Sequence, residues 1–408
     1  MLVVVETRGD DFVDWESDEL HELASSAGVE VAGEIRQRRS RPDSAFYVGH
    51  GKAEEIYELV QAEEANVVIF GDDLSPTQQR NLENALTVRV LDRTQLILDI
   101  FAQRAHTKEG KLQVELAQLE YLLPRLTGKG IALSRLGGGV GTRGPGETKL
   151  ETDRRRLRKH VEHLKKDLEE VVQHREVQRR GRRRLPFPTA ALVGYTSSGK
   201  STLLNTLAGT EVLTDGKLFA TLDPTTRRVV LPDGGGLILT DTVGFIRNLP
   251  HHLIAAFRAT LEEVIDADFL IHVVDASHPR KIEQIGAVED VLDELDIVDK
   301  AIVTVFNKSD LIHDQYELRK AILDTPNSVY ISALTRDGLP YLMQLLEDTV
   351  KSLTRRVRLE IPYERAELVS FCYDNGRVLS VEYERDRIIV EAEIGGRSIG
   401  RLEAYRVE

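Results

Sequence analysis

The chain has 408 residues, 41% of them hydrophobic and 30% charged, enough apolar material for packed cores and a length that suggests two or three domains. Its net charge of -13 excludes a uniform coat of nucleic-acid-binding charge, and the single cysteine, Cys372, excludes a disulfide framework or a cysteine-based zinc site and fits a reducing cytosol. No apolar run approaches the ~20 residues that span a bilayer, and the opening MLVVVETRGDDF lacks the features of a signal peptide, so the expectation is a cytoplasmic protein without stable membrane insertion.

Residues 1–105 alternate short β-rich runs, at 3–5, 46–48, 67–70 and 88–91, with helical patterns at 52–64 and 75–85. Ser75-Pro76 reads as the cap and first turn of the second helix. This alternation predicts an N-terminal α/β domain with a mostly parallel sheet. In residues 106–185 the pattern changes. Leu112, Leu116, Leu119 and Leu123 recur at helical spacing, as do Leu157, Val161, Leu164, Leu168 and Val171, which predicts two helices packed as a long hairpin. Their connection, 128–149, holds six glycines between Gly137 and Gly146, and an aperiodic connection of this length is usually functional or disordered. The second helix is basic: residues 154–184 carry thirteen Lys or Arg against five acids, a net +8 on a chain otherwise at -21. That asymmetry points to a polyanion contact, the alternative being an ordinary solvated face.

Residues 186–354 alternate strands and helices again, with candidate strands at 190–193, 228–231, 237–240, 269–274, 301–306 and 328–331. The second and third are joined by a Pro-Asp-Gly-Gly-Gly turn, the signal of an antiparallel hairpin. Residues 355–408 read as a small α+β domain with a short helix near 364–373 and two alternating strands, 378–383 and 387–393.

The chemistry concentrates in the third segment. Gly194-Tyr195-Thr196-Ser197-Ser198-Gly199-Lys200-Ser201 follows an apolar strand and precedes a helical pattern, the context of a phosphate-binding loop. Glycines let backbone amides face a phosphate, and the helix N-terminus adds positive potential. Lys200 is placed to bridge the β- and γ-phosphates, and the Ser201 hydroxyl to ligate Mg²⁺. Asp241-Thr242-Val243-Gly244, 40 residues after Ser201 and at a strand end, offers a carboxylate toward Mg²⁺ and a glycine amide toward the γ-phosphate. Asn307-Lys308-Ser309-Asp310 ends a further strand. The Asp310 carboxylate can accept both N1–H and the 2-amino group of guanine, a pair that adenine lacks. The Lys308 stem would lie over the ring, Asn307 would tie the base edge to the loop, and Ser332-Ala333-Leu334 can offer an amide to the base oxygen.

In this order the segments resemble the guanine-nucleotide-binding domain of the P-loop GTPases. The resemblance implies a switch segment, Phe219-Ala220-Thr221-Leu222-Asp223-Pro224-Thr225-Thr226, in which one threonine completes the Mg²⁺ shell. Thr221 is the matching position in the Obg- and HflX-like branch, with Thr225 in reserve. The runs GGGVGTRGPGETKLETDRRR at 137–156, FATLDPTTRR at 219–228, DTVGFIRNLPHHL at 241–253 and YVGHGKAEE at 47–55 are similar to those of HflX-type GTPases. That resemblance, weakest after residue 355, implies a GTPase with Lys200, Thr221 and Gly244 at the catalytic centre; a monomer is the separate expectation. The resemblance also implies binding to the large ribosomal subunit and its RNA, and splitting or rescue of stalled or idle ribosomes. A nucleotide-gated RNA-binding module and an Obg-like assembly GTPase are the alternatives. Two features qualify the expectation. Ser197-Ser198 stands where the family commonly has Asn-Ala, which removes a potassium-binding amide. Phe245 stands where Ras-like proteins have the Gln that orients water; a phenyl ring cannot do so, and intrinsic hydrolysis is expected to be slow without an activating partner.

Overall fold

The structure, a computed structural model, describes residues 1–7, 13–126, 149–182, 187–209, 218–247, 250, 258–297, 300–312, 325–395 and 399–407. Most of the glycine-rich connection lies outside them. The chain divides into two compact units: Met1–Val171 with Lys217–Phe219 and Pro250–Phe257, and Val172–Gly216 with Ala220–Leu249 and Arg258–Glu408.

In the first unit, β1 (Leu2–Thr7), β2 (Glu34–Arg39), β3 (Val67–Phe70) and β4 (Arg89–Leu91) form a parallel sheet in the order β2-β1-β3-β4. Helices α1 (Val13–Ser26), α2 (His50–Ala62), α3 (Pro76–Leu86) and α4 (Arg93–Arg104) connect or follow the strands. The expected strand at 46–48 is a turn, and β2 lies upstream. Its sequence, EIRQRR, is polar because it pairs only with β1 and Ile35 alone of its residues is buried. The cap read from Ser75-Pro76 is present in full: the Ser75 hydroxyl accepts from Gln78 N and the Gln78 side chain accepts from Ser75 N. Trp15 of α1 is buried in this unit.

α5 (Lys108–Arg125) and α6 (Lys149–Arg182) pack through Leu116, Val161 and Leu164, flanked by Leu112, Leu119, Leu123 and Leu168. Glu115 also pairs with His160 and Glu120 with Lys165 between these two helices. On α6, Arg155, Arg156, Arg158, Lys159, Lys165 and Lys166 are exposed.

In the second unit, β5 (Thr189–Val193), β6 (Thr225–Val230), β7 (Gly236–Asp241), β8 (Phe269–Asp275), β9 (Ala301–Asn307) and β10 (Ser328–Tyr330) form a sheet in the order β10-β9-β8-β5-β7-β6. All neighbours are parallel except the β6–β7 hairpin. The helices α7 (Lys200–Ala208), α8 (Arg258–Asp266), α9 (Lys281–Glu294) and α10 (Leu339–Leu353) accompany it. Its central strands read as continuous apolar runs because both faces are covered. A further antiparallel sheet, β12-β13-β11-β14, comprises β11 (Thr354–Pro362), β12 (Gly376–Tyr383), β13 (Arg387–Gly395) and β14 (Arg406–Val407). The helix α11 (Glu367–Asn375) contributes Leu368 and Cys372 to its core. β11 was not expected, since its alternation, TRRVRLEIP, is interrupted by paired arginines, and only Val357, Leu359 and Ile361 face the core.

Candidate active site

The ends of β5, β7 and β9 bring the predicted segments together. β5 runs into the loop Gly194–Gly199, whose backbone takes conformations that side chains resist: φ is 151° at Gly194, 61° at Ser197 and 96° at Gly199. Lys200 opens α7 with its side chain buried, Nζ donating to the carbonyls of Gly194 (3.0 Å) and Tyr195 (2.8 Å). Burial pushes its amine down to about 8, against the pull of Asp241.

Three oxygens converge one residue beyond. Ser201 Oγ donates to Asp241 Oδ2 at 2.6 Å, Thr221 Oγ1 donates to the same oxygen at 2.9 Å, and the two hydroxyls lie 2.8 Å apart. Asp241 is buried, and its other oxygen, Oδ1, has no hydrogen-bond partner among the described residues. Burial raises the Asp241 pKa, opposed by Lys200 and by the two hydroxyls. A buried carboxylate with an unpartnered oxygen, beside two hydroxyls, is a set of hard donors suited to Mg²⁺. Of the three candidate threonines, only Thr221 reaches this cluster. Thr225 and Thr226 lie in β6, and Thr226 Oγ1 is 3.1 Å from Thr240 Oγ1. Thr221→Ala is therefore expected to lower GTP turnover about ten- to a hundredfold at limiting Mg²⁺, whereas Thr225→Ala leaves it near the parent. A titration of turnover against Mg²⁺ reads both, and a larger loss in Thr225→Ala overturns the assignment.

The segment 241–247, which begins at the end of β7 and is read as the second switch, is tied to the loop 194–199. Thr196 N donates to Phe245 O at 2.8 Å, Phe245 N to Gly194 O at 3.1 Å, and Arg247 N to the Tyr195 hydroxyl at 2.9 Å. Thr242 Oγ1 donates to Leu192 O at 2.6 Å, and Val243 is buried. Gly244 lies against the loop so closely that an added Cβ would fall 2.9 Å from Thr196 Cα and 3.1 Å from Lys200 Nζ. Phe245 is buried, so the position of the Ras-like glutamine holds an apolar side chain turned into the protein. Thr196 Oγ1 and Ser198 Oγ are also buried without a hydrogen-bond partner among the described residues.

Asn307 ends β9 and links two loops. Its Nδ2 donates to Ser198 O and its Oδ1 accepts from Ala333 N, each at 2.9 Å. The Ala333 amide, expected to face a base oxygen, is thus bonded to Asn307. Ser332 is buried and its hydroxyl accepts from Thr335 N, while Leu334 is exposed. Lys308 takes a left-handed turn (φ 64°), after which Ser309 and Asp310 begin a short 3₁₀ turn with Asp310 exposed. Leu222 is buried, Asp223 is half-buried and Ala220 is exposed. Phe219 stands apart from the cluster. Its ring meets Phe101 edge-on at 4.7 Å, and the preceding Leu218 N donates to Ser26 Oγ at 3.0 Å, all within the first unit.

Sequence reading passed over two residues. Asp275, at the end of β8, pairs with Lys308 Nζ at 2.6 Å; a carboxylate closing the apolar run FLIHVVD was the available signal. His272 lies in the same strand, buried, and burial with the nearby Lys200 charge depresses it to about 4 from an ordinary 6.5. Between those values the unfolded chain binds the proton and the folded one does not. The contribution of His272 to stability is therefore fully held above about pH 6.5 and is lost as pH falls toward 4. Urea unfolding across this window is expected to show a shallower pH dependence for His272→Gln; an identical slope removes His272 as its source.

Residues 15–102 match the profile described as GTP-binding GTPase N-terminal, 104–182 that of GTP-binding GTPase Middle Region, and 189–308 that of 50S ribosome-binding GTPase. The GTPase HflX of Caldanaerobacter subterraneus subsp. tengcongensis is 48% identical over 379 residues, 92% of this chain and 87% of that protein. The chain belongs to the HflX family of GTPases. The HflX GTPase of Escherichia coli (strain K12) is likewise 48% identical, over 87% of this chain and 84% of its own. A GTP-binding protein from the archaeon Sulfolobus solfataricus, solved in complex with GDP, covers 86% of this chain and 99% of its own at 25% identity and a TM-score of 0.46. As an HflX-family member the chain is a P-loop enzyme that binds GTP and hydrolyses it to GDP and phosphate. Among its described residues no helix is long and apolar enough to cross a membrane.

Proposed function

We propose that this GTPase binds the large ribosomal subunit and uses Mg²⁺-dependent GTP binding and hydrolysis to split or rescue stalled or idle ribosomes, acting as a cytoplasmic monomer. The observation that carries the nucleotide part of this reading is the convergence of Ser201, Thr221 and Asp241. It joins the phosphate loop and both switch segments at one point, so that occupancy there is felt by both switches. Ser201 and Thr221 would hold Mg²⁺ directly and Asp241 through a water, and the bound ion would neutralise charge on the β- and γ-phosphates. Lys200 would exchange its two loop carbonyls for phosphate oxygens, and the Gly244 amide would meet the γ-phosphate. Asn307, Lys308 and Asp310 would take the guanine base.

The ribosomal part is supported by the exposed basic residues of α6 and by the 50S ribosome-binding description of the profile matched at 189–308. The sequence expectation that residues 128–149 probe an RNA-lined centre concerns a segment that, save for Lys149, lies outside the described residues. The deciding measurement is GTP hydrolysis with and without purified large subunits. A many-fold rise is expected with mature subunits. Tight GTP-dependent binding without a rise would instead indicate a nucleotide-gated RNA-binding module, and stimulation by precursor particles alone an assembly factor.

A further inference from the structure

Asp275 closes β8 directly across the ladder from Asn307, the last residue of β9. Its Oδ2 accepts from Lys308 Nζ at 2.6 Å. Its Oδ1 accepts from the backbone N–H and the hydroxyl of Ser277, at 3.0 and 2.6 Å. Both carboxylate oxygens are thus engaged, and the side chain cannot swing away without breaking one set of bonds. Ala276 N also donates to Asn307 O at 2.9 Å, which fixes the two strand ends to each other.

Lys308 is therefore held at both ends. Its backbone sits in the left-handed turn, and its ammonium is bound to Asp275, with side-chain exposures of 32% for the lysine and 14% for the aspartate. The four-carbon stem between those anchors lies beside Asn307 and two residues before Asp310. A lysine stem is rotamer-rich when its head is free, and ordering it during binding opposes association. The ion pair with Asp275 fixes the end of that stem.

We propose that Asp275 is a positioning residue for the nucleotide: it captures the Lys308 ammonium so that the stem forms a preformed apolar floor for the purine ring. This rests on the base site proposed at Asn307–Asp310. Asp310 reads the edge of the base, and the floor set by Asp275 supports its face, which every purine shares.

The consequence separates the two residues experimentally. Asp275→Ala is expected to raise the dissociation constants for GDP, inosine diphosphate and xanthosine diphosphate by the same factor, about three- to tenfold. Selectivity among them and turnover at saturating GTP should stay near the parent. In a Lys308→Met background, which keeps an apolar stem and removes the ammonium, Asp275→Ala should add nothing. If Asp275→Ala does not fold, Asp275→Asn, which retains acceptors for Ser277 and lacks the charge, carries the same cycle. An unchanged GDP affinity, or an equal loss in the Lys308→Met background, overturns the proposal. Asp310→Asn measured alongside distinguishes the causes: lost guanine preference there with a silent Asp275→Ala sinks only the positioning role. Preserved preference sinks the base site and this role with it.

Discussion

Gly194→Ala is expected to lower GTP and GDP affinity about a hundredfold while the rest of the chain stays folded. A Cβ at this position would fall 2.2 Å from the Val273 carbonyl oxygen and 3.1 Å from Ser198 Oγ. The first of these is backbone of a central strand, covered on both sides by β5 and β9, and it has nowhere to go. The φ of 151° adds a second obstacle, since residues with a Cβ rarely adopt it. The loop must then shift by an ångström or so, carrying with it the carbonyl that holds Lys200 and the contact to Phe245. Displacements of that size in a positioned site cost about a hundredfold. Calorimetric titration with GDP measures the loss, and circular dichroism checks the fold. Parental affinity in this variant would mean that nucleotide binds elsewhere.

The second large effect is expected at Asp310. Replacing its carboxylate by an amide in Asp310→Asn keeps the shape and removes an acceptor for two adjacent donors. Losing a charge-assisted hydrogen bond of this kind costs about 1.5–3 kcal/mol, so GTP affinity should fall roughly ten- to a hundredfold. Xanthosine triphosphate should not lose affinity in parallel, because xanthine has a carbonyl where guanine has its amino group, and the new amide can donate to it. Competition of the two nucleotides against labelled GDP tests this. Unchanged preference would sink the base-reading role.

Much of this was legible in the sequence because phosphate chemistry depends on local order. Gly194 to Ser201 are contiguous, so the loop, its glycines and Lys200 could be read without knowing any tertiary contact. The leucine seam of α5 and α6 was legible for the same reason: a helix writes its buried face into its own spacing. What escaped was set by contacts distant in sequence. Thr221 was preferred over Thr225 only through the family resemblance, since nothing in FATLDPTT alone separates them; in the fold, β6 claims Thr225 and Thr226 for the hairpin. Asp275 and Lys308 are 33 residues apart and meet only because β8 and β9 are neighbours. Strands β2 and β11 escaped for another reason. Each carries a run of arginines, and a strand with one solvated face or an open edge loses the apolar signature by which strands are recognised.

The two buried side chains Trp15 and Cys372 have a practical consequence. They are the single tryptophan and the single cysteine of the chain, and each lies in a different compact unit. Indole fluorescence therefore reports the opening of the first unit alone. Burial holds the Cys372 thiol up at about 11 and out of solvent, so a thiol-reactive dye labels it only when the C-terminal sheet of the second unit opens. The natural chain thus carries one optical and one chemical clock, and unfolding of its two halves can be timed separately, with and without nucleotide, before any residue is changed.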